Sequence, residues 1–166
     1  MIYPMFVLNN NSVDFFRNFK FKNLKSFNTY DGVAYSCEVY HDKFKIADVR
    51  NDGDGGMTHV NYTNGGENYL NSLNIEQFHS KDLGFSVDNE YTLSDLIELA
   101  ISIKKVLSKQ SKSIIYLIGE NIYSFSYKRT LSDIVKTNKS VIENRISDIK
   151  KSGGVVLNTN LDKIGV

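Results

Sequence analysis

The residues best placed to do chemistry in this chain are Asn51-Asp52-Gly53-Asp54-Gly55-Gly56, three glycines interleaved with carboxylates and an amide over six positions. Glycine adopts positive φ at little steric cost, so such a run turns sharply and exposes backbone N–H groups that can cradle an anion. Asp52 and Asp54 would repel a phosphate unless a metal lay between. Calcium does not fit the spacing: with Asp52 and Asp54 at loop positions one and three, Met57 stands where an EF-hand requires glycine. Three readings are open: a structural turn, a contact surface on a rigid hairpin, or an ion or phosphate site. His59 and Tyr62 follow closely enough to share a contact surface with this loop.

A second constellation is basic and aromatic. Phe15, Phe16, Phe19, Phe21 and Phe27 interleave with Arg17, Lys20, Lys22 and Lys25, with no acidic residue from Phe15 to Phe27. On an exposed face this pattern grips a phosphate backbone and stacks bases. On an edge strand it places Phe19 and Phe21 on one side and Lys20 and Lys22 on the other, where the lysines keep the edge soluble. Strict alternation over residues 19–22 favours the edge strand, and the expectation is weak, salt-sensitive, sequence-independent nucleic-acid binding at most.

Nucleophilic and metal chemistry find less support. Cys37 is the only cysteine, so no intrachain disulfide forms, which fits a reducing compartment. Cys37 sits in an alternating apolar stretch and reads as a core residue, although pairing with His41 or His59 in space is open. His41, His59 and His79 have no metal-ligand spacing, and no phosphate-binding loop, nucleophile elbow, zinc-protease or dinucleotide motif occurs. The expectation is therefore no catalytic residues, no metal, no cofactor and no enzymatic activity.

Length and charge bound the remainder. The 166 residues predict one domain, and the formal net charge of +1 disfavours both a dedicated nucleic-acid binder and an acidic mimic of nucleic acid. No stretch is long and apolar enough to span a membrane and the N-terminus lacks a basic leader, so a cytoplasmic location is expected.

The elements that must position these residues read as strands in hairpins. Val33, Tyr35, Cys37 and Val39 alternate with Ala34, Ser36, Glu38 and Tyr40, a half-buried strand. His41-Asp42-Lys43 makes a tight loop, and residues 44–49 return as its partner. Residues 57–62 read as a third strand. Residues 2–8 read as a strand, 9–11 as a turn and 13–18 as a short helix capped by Ser12. A short helix over 67–73 and a strand over 84–87 complete the first half. Leu93, Leu96, Ile97, Ala100, Ile103 and Leu107 have helical spacing, with Thr92 as N-cap and Asp95 close to a capping box. Residues 113–118 and 122–128 form a second hairpin about Gly119-Glu120-Asn121. Thr130 caps a final helix that 136–140 kinks or splits, Gly153 ends it, and 155–157 form a last strand. The expected fold is α+β: a mainly antiparallel sheet of five to seven strands built from hairpins and covered by two or three helices.

The stretch from Ser36 to Gly56, with its hairpin and N-D-G-x-G-G turn, resembles small uncharacterised proteins of bacteriophages and mobile elements. That resemblance supplies no reaction. It implies a viral accessory protein acting in the host cytoplasm, an inhibitor that binds and blocks or redirects a host protein, such as a defence component. The alternatives are a sponge for a small nucleotide signal, held by loop N–H groups and aromatic stacking, and the weak nucleic-acid binder described above.

Overall fold

The computed structural model describes residues 15–78, 87–119 and 121–166. Expectations for residues 2–14 and for 84–86 of the expected strand 84–87, together with His79, lie outside them, and Val87 itself is in no strand. Phe15 and Phe16 are helical, as expected for that part of 13–18. The fold is α+β, with two antiparallel sheets and three helices among the described residues. Seven strands form among the described residues, but they divide between a four-stranded and a three-stranded sheet instead of joining one. The chain splits into two compact units, with the division falling after Ile101.

In the first unit, β1 (Phe19–Asn28), β2 (Val33–His41), β3 (Phe44–Asn51) and β4 (His59–Tyr62) form a meander in sequence order. From Tyr35 onward β2 alternates as its period demands, with Tyr35, Cys37, Val39 and His41 buried and Ser36, Glu38 and Tyr40 facing outward, whereas Ala34, expected with the outward set, is buried too. Two irregularities bend the sheet. β1 skips register between Lys22 and Lys25, where Asn23 has φ 53°, and β3 bulges opposite Val39 and Tyr40. On the other side of β3, one residue beyond the Ala47–Tyr62 pair, the Ile46 carbonyl accepts from Thr63 N–H at 2.9 Å.

That contact docks helix α1 (Gly66–Ser72) onto β3. Gly66 has to be glycine, because a Cβ there would stand 2.1 Å from the Ile46 carbonyl oxygen. Helix α2 (Asn89–Leu107) begins three residues before the expected Thr92 cap. Asp88 caps it instead, its Oδ1 accepting from Tyr91 N–H at 2.7 Å. Thr92 is buried inside the first turn and donates its hydroxyl to the Asp88 carbonyl.

In the second unit, β5 (Ser113–Ile118) pairs with β6 (Asn121–Ser126) on one side and with the two-residue β7 (Val155–Val156) on the other. Helix α3 (Leu131–Lys151) covers one face through a core of Ile114, Leu131, Ile134, Ile142 and Ile149. Thr130 caps it by accepting from Asp133 N–H, as the sequence predicts. The expected kink falls at Asn138, whose φ of −158° breaks the helix while both halves keep an apolar face on the core. Gly153, at φ 76°, and Gly154 close it with N–H bonds to Lys150 and Ile149. Beyond β7, Asn158 takes over the role of a strand. Its Oδ1 accepts from Ile115 N–H at 2.7 Å and its Nδ2 donates to the Ser113 carbonyl at 2.9 Å.

Candidate functional site

The pleat of the meander sorts the candidate residues onto two faces. On the outer face the register aligns Lys25, Ser36, Arg50 and His59 in one cross-strand row. The next row holds Lys22, Glu38, Asp48 and Asn61, and the third holds Lys20, Tyr40 and Lys45. The face is thus striped, with an acidic row between two basic ones. A groove of about 670 Å³ crosses it, lined by Lys25, Glu38, Asp48, Arg50, Asp52 and His59 among others.

The charges on this face pair laterally. Lys45 Nζ lies 2.8 Å from Asp48 Oδ1 and 3.8 Å from Glu38 Oε1. The Asp48 hydrogen bond raises the lysine's affinity for its proton. Arg50 Nε donates to Asp52 Oδ1 at 2.7 Å, and Lys22 Nζ sits 4.1 Å over the Tyr40 ring. Such exposed pairs contribute little to stability and exchange readily for new partners.

The loop over residues 51–56 uses its own polar atoms. Asn51 Oδ1 accepts from Gly53 N–H at 2.7 Å, and Asp54 Oδ1 accepts from Gly56 N–H at 2.9 Å. Two of the N–H groups that an anion cradle would need are therefore already bonded. Gly53 is buried at φ 70°, and a Cβ there would meet Ala34 N at 2.6 Å. Thr29, in the β1–β2 turn, donates its hydroxyl to the Gly53 carbonyl and accepts from Gly32 N–H at 3.0 Å. These bonds lock the two loops at one end of the sheet together. Phe27 at the end of β1 and Tyr30 and Met57 on those loops are large apolar groups left exposed, at 66%, 102% and 76% respectively.

Below the loop, a hydroxyl network ties it to α2. Asn51 Nδ2 donates to Thr58 Oγ1 at 2.9 Å, and Tyr35 Oη lies 3.3 Å from Thr58 Oγ1 and 2.7 Å from Ser94 Oγ. Burial raises the Tyr35 pKa. On α2, burial and then the Glu98 charge push Asp95 up to about 6, and burial raises Glu98 itself.

The expected contact residues do not all meet. His59 faces outward in the Arg50 row, whereas Tyr62 pairs with Ala47 on the inner face. The Tyr62 hydroxyl is buried without a partner among the described residues, and burial, then Glu67, Glu90 and Asp88, push its pKa up to about 12. The basic residues, by contrast, all lie on the exposed side. Lys20, Lys22, Lys25 and Arg17 are exposed, Phe19 is buried against Phe15 and His41, and β1 is an edge strand.

Cys37 and His59 lie on opposite faces of the sheet. His41 shares the inner face but stands four residues along the strand, roughly 13 Å away at the usual rise. Burial, then Asp48 and Glu38, push the Cys37 thiol up to about 12, and a thiol held protonated is a weak nucleophile. His41 instead takes Tyr69 Oη at 3.1 Å on Nδ1. Among the described residues no group of three metal-ligating side chains converges, and no helix is long and apolar enough to cross a membrane.

The striped face was not legible from sequence, because Glu38, Asp48 and Arg50 look like any solvated strand positions until register aligns them. Comparison with known protein families, curated proteins and solved structures returns no match.

Proposed function

We propose that this chain is a non-enzymatic binding protein that engages another protein through the outer face of its four-stranded sheet. The observation that carries this reading is the charge stripe: Lys25 and Arg50 in one row, Glu38 and Asp48 with Lys22 in the next, with exposed Phe27 at the end of β1 and Tyr30 and Met57 on the locked loops beside them. A polypeptide surface supplies carboxylates for the first row, a cation for the second and apolar area for the aromatics. A nucleic acid or a nucleotide brings phosphates, which Glu38, Asp48 and Asp52 repel, and no cationic group to pair with them. Rigid loops bearing large apolar side chains are the common anchors of protein interfaces. In the setting that the resemblance implies, the partner is a host protein that this chain blocks or redirects.

The test is isolation of a complex of defined stoichiometry from host lysate, followed by affinity measurement on variants of the full chain. Arg50→Glu reverses one stripe and is expected to weaken the complex at least tenfold, whereas Lys150→Glu, on α3, leaves it unchanged. Equal effects of the two would remove the stripe from the interface. A nucleotide released on heating, or tight oligonucleotide binding at physiological salt, would replace this reading with one of the alternatives.

A further inference from the structure

Four strands form the margins of the two sheets among the described residues, and three of them carry features that discourage pairing. β1 carries Lys20, Lys22 and Lys25 and a register break. β4 has four residues and β7 has two. β6 has none of these features. Its sequence, Asn-Ile-Tyr-Ser-Phe-Ser, contains no charge, proline or glycine, and its six pairs with β5 run without a register break. Five of its six residues are exposed, including Tyr123 at 45% and Phe125 at 37%.

The hydrogen-bond pattern fixes which backbone groups of β6 point away from the sheet. Ile115 sends its N–H to Asn158 and its carbonyl to Leu157 N–H, both on the β7 side. The pair formed by Ile115 and Ser124 is therefore a non-hydrogen-bonded one. By the alternation of an antiparallel ladder, the N–H and C=O groups of Ile122, Ser124 and Ser126 all point outward from the edge.

We infer that β6 is a self-pairing edge, through which two copies of the chain join into an antiparallel, two-fold dimer with a continuous six-stranded sheet. The occupant is a second copy because the edge is complementary to itself. Side-chain direction and outward backbone groups admit a register with Ser124 opposite Ser124 of the partner copy. Ile122 then exchanges backbone bonds with the partner copy's Ser126. The same register sets Tyr123 against the partner copy's Phe125 in the close, non-hydrogen-bonded positions. Each dimer then holds two cross-strand aromatic pairs, among the most favourable on a sheet. β6 itself carries no charged side chain to repel its copy, whereas self-pairing of β1 would bring lysines together. Among the described residues each copy offers one such edge, so the contact closes at two chains instead of propagating.

The test is the mass of the full chain by sedimentation or light scattering at about 100 µM. Wild type is expected at twice the 18.9 kDa chain mass. Ser124→Pro removes a donor that the intramolecular ladder does not use and should give a monomer with an unchanged circular-dichroism spectrum. Ser124→Lys places two ammonium groups across the axis and should give the same result, which covers the case in which the proline variant folds poorly. A wild-type monomer at that concentration, or a dimer that survives Ser124→Lys, would overturn the inference. The striped face of the other unit plays no part in this test.

Discussion

The two sheets handle the same physical problem, an antiparallel hairpin with free margins, by opposite means. The four-stranded meander is irregular: it breaks register in β1, bulges in β3, and lets backbone approach backbone at Gly53 and Gly66. Its outer face and first margin are charged. The three-stranded sheet is regular and its β6 margin neutral, and it completes its other margin with a side chain, Asn158, where a third β7 residue pair would otherwise stand. The difference teaches where information is stored. In the meander it lies in positions where only glycine fits and in the register that aligns charges. In the smaller sheet it lies in one buried amide and in a strand without protective charges.

Three substitutions sharpen or break that comparison. The largest effect is expected from Gly66→Ala, since a Cβ 2.1 Å from a carbonyl oxygen forces α1 away from β3. A loss of about 3 kcal/mol in urea unfolding is expected, at the upper end for overpacking. A loss below about 0.5 kcal/mol would mean that the close approach is dispensable.

Next comes Asn158→Ala in the other unit. It leaves Ile115 N–H and the Ser113 carbonyl without their partners, at a cost of about 2 kcal/mol for buried groups left unsatisfied. Hydrogen exchange at Ile115 should accelerate in parallel. Unchanged protection of that amide would show that β7 alone maintains the margin.

The smallest effect concerns pH. Asp95 has its pKa pushed up to about 6 by burial and then by Glu98, so the folded chain binds this proton more tightly than the unfolded chain does. Stability is therefore greatest below the ordinary Asp range and falls as pH rises through about 6. Asp95→Asn is expected to gain about 1 kcal/mol at pH 7, after discounting for solvent screening, and nothing below pH of about 4. A pH-independent gain would assign the effect to packing instead of charge.

The sequence by itself determined the elements whose signals are local. Period-two alternation in β2 and the hairpin about Asp42 and Lys43 need only neighbouring residues to specify them, and so do the Thr130 cap and the Gly153 stop. Signals that compete locally were misassigned. Thr92 and Asp88 can both cap a helix, and the cap fell to Asp88, which places Thr92 in the buried first turn. Tertiary structure alone decided the division of seven strands into two sheets, because hairpin patterns define pairs and not which pairs join. It also decided that Arg50 aligns with Lys25 while Asp48 aligns with Glu38, whereas the opposite facing of His59 and Tyr62, three residues apart, already follows from the period of two of the expected strand over 57–62. Those outcomes rest on register, which depends on a bulge at Ile46 and a break at Asn23, and one residue of shift carries every side chain to the other face.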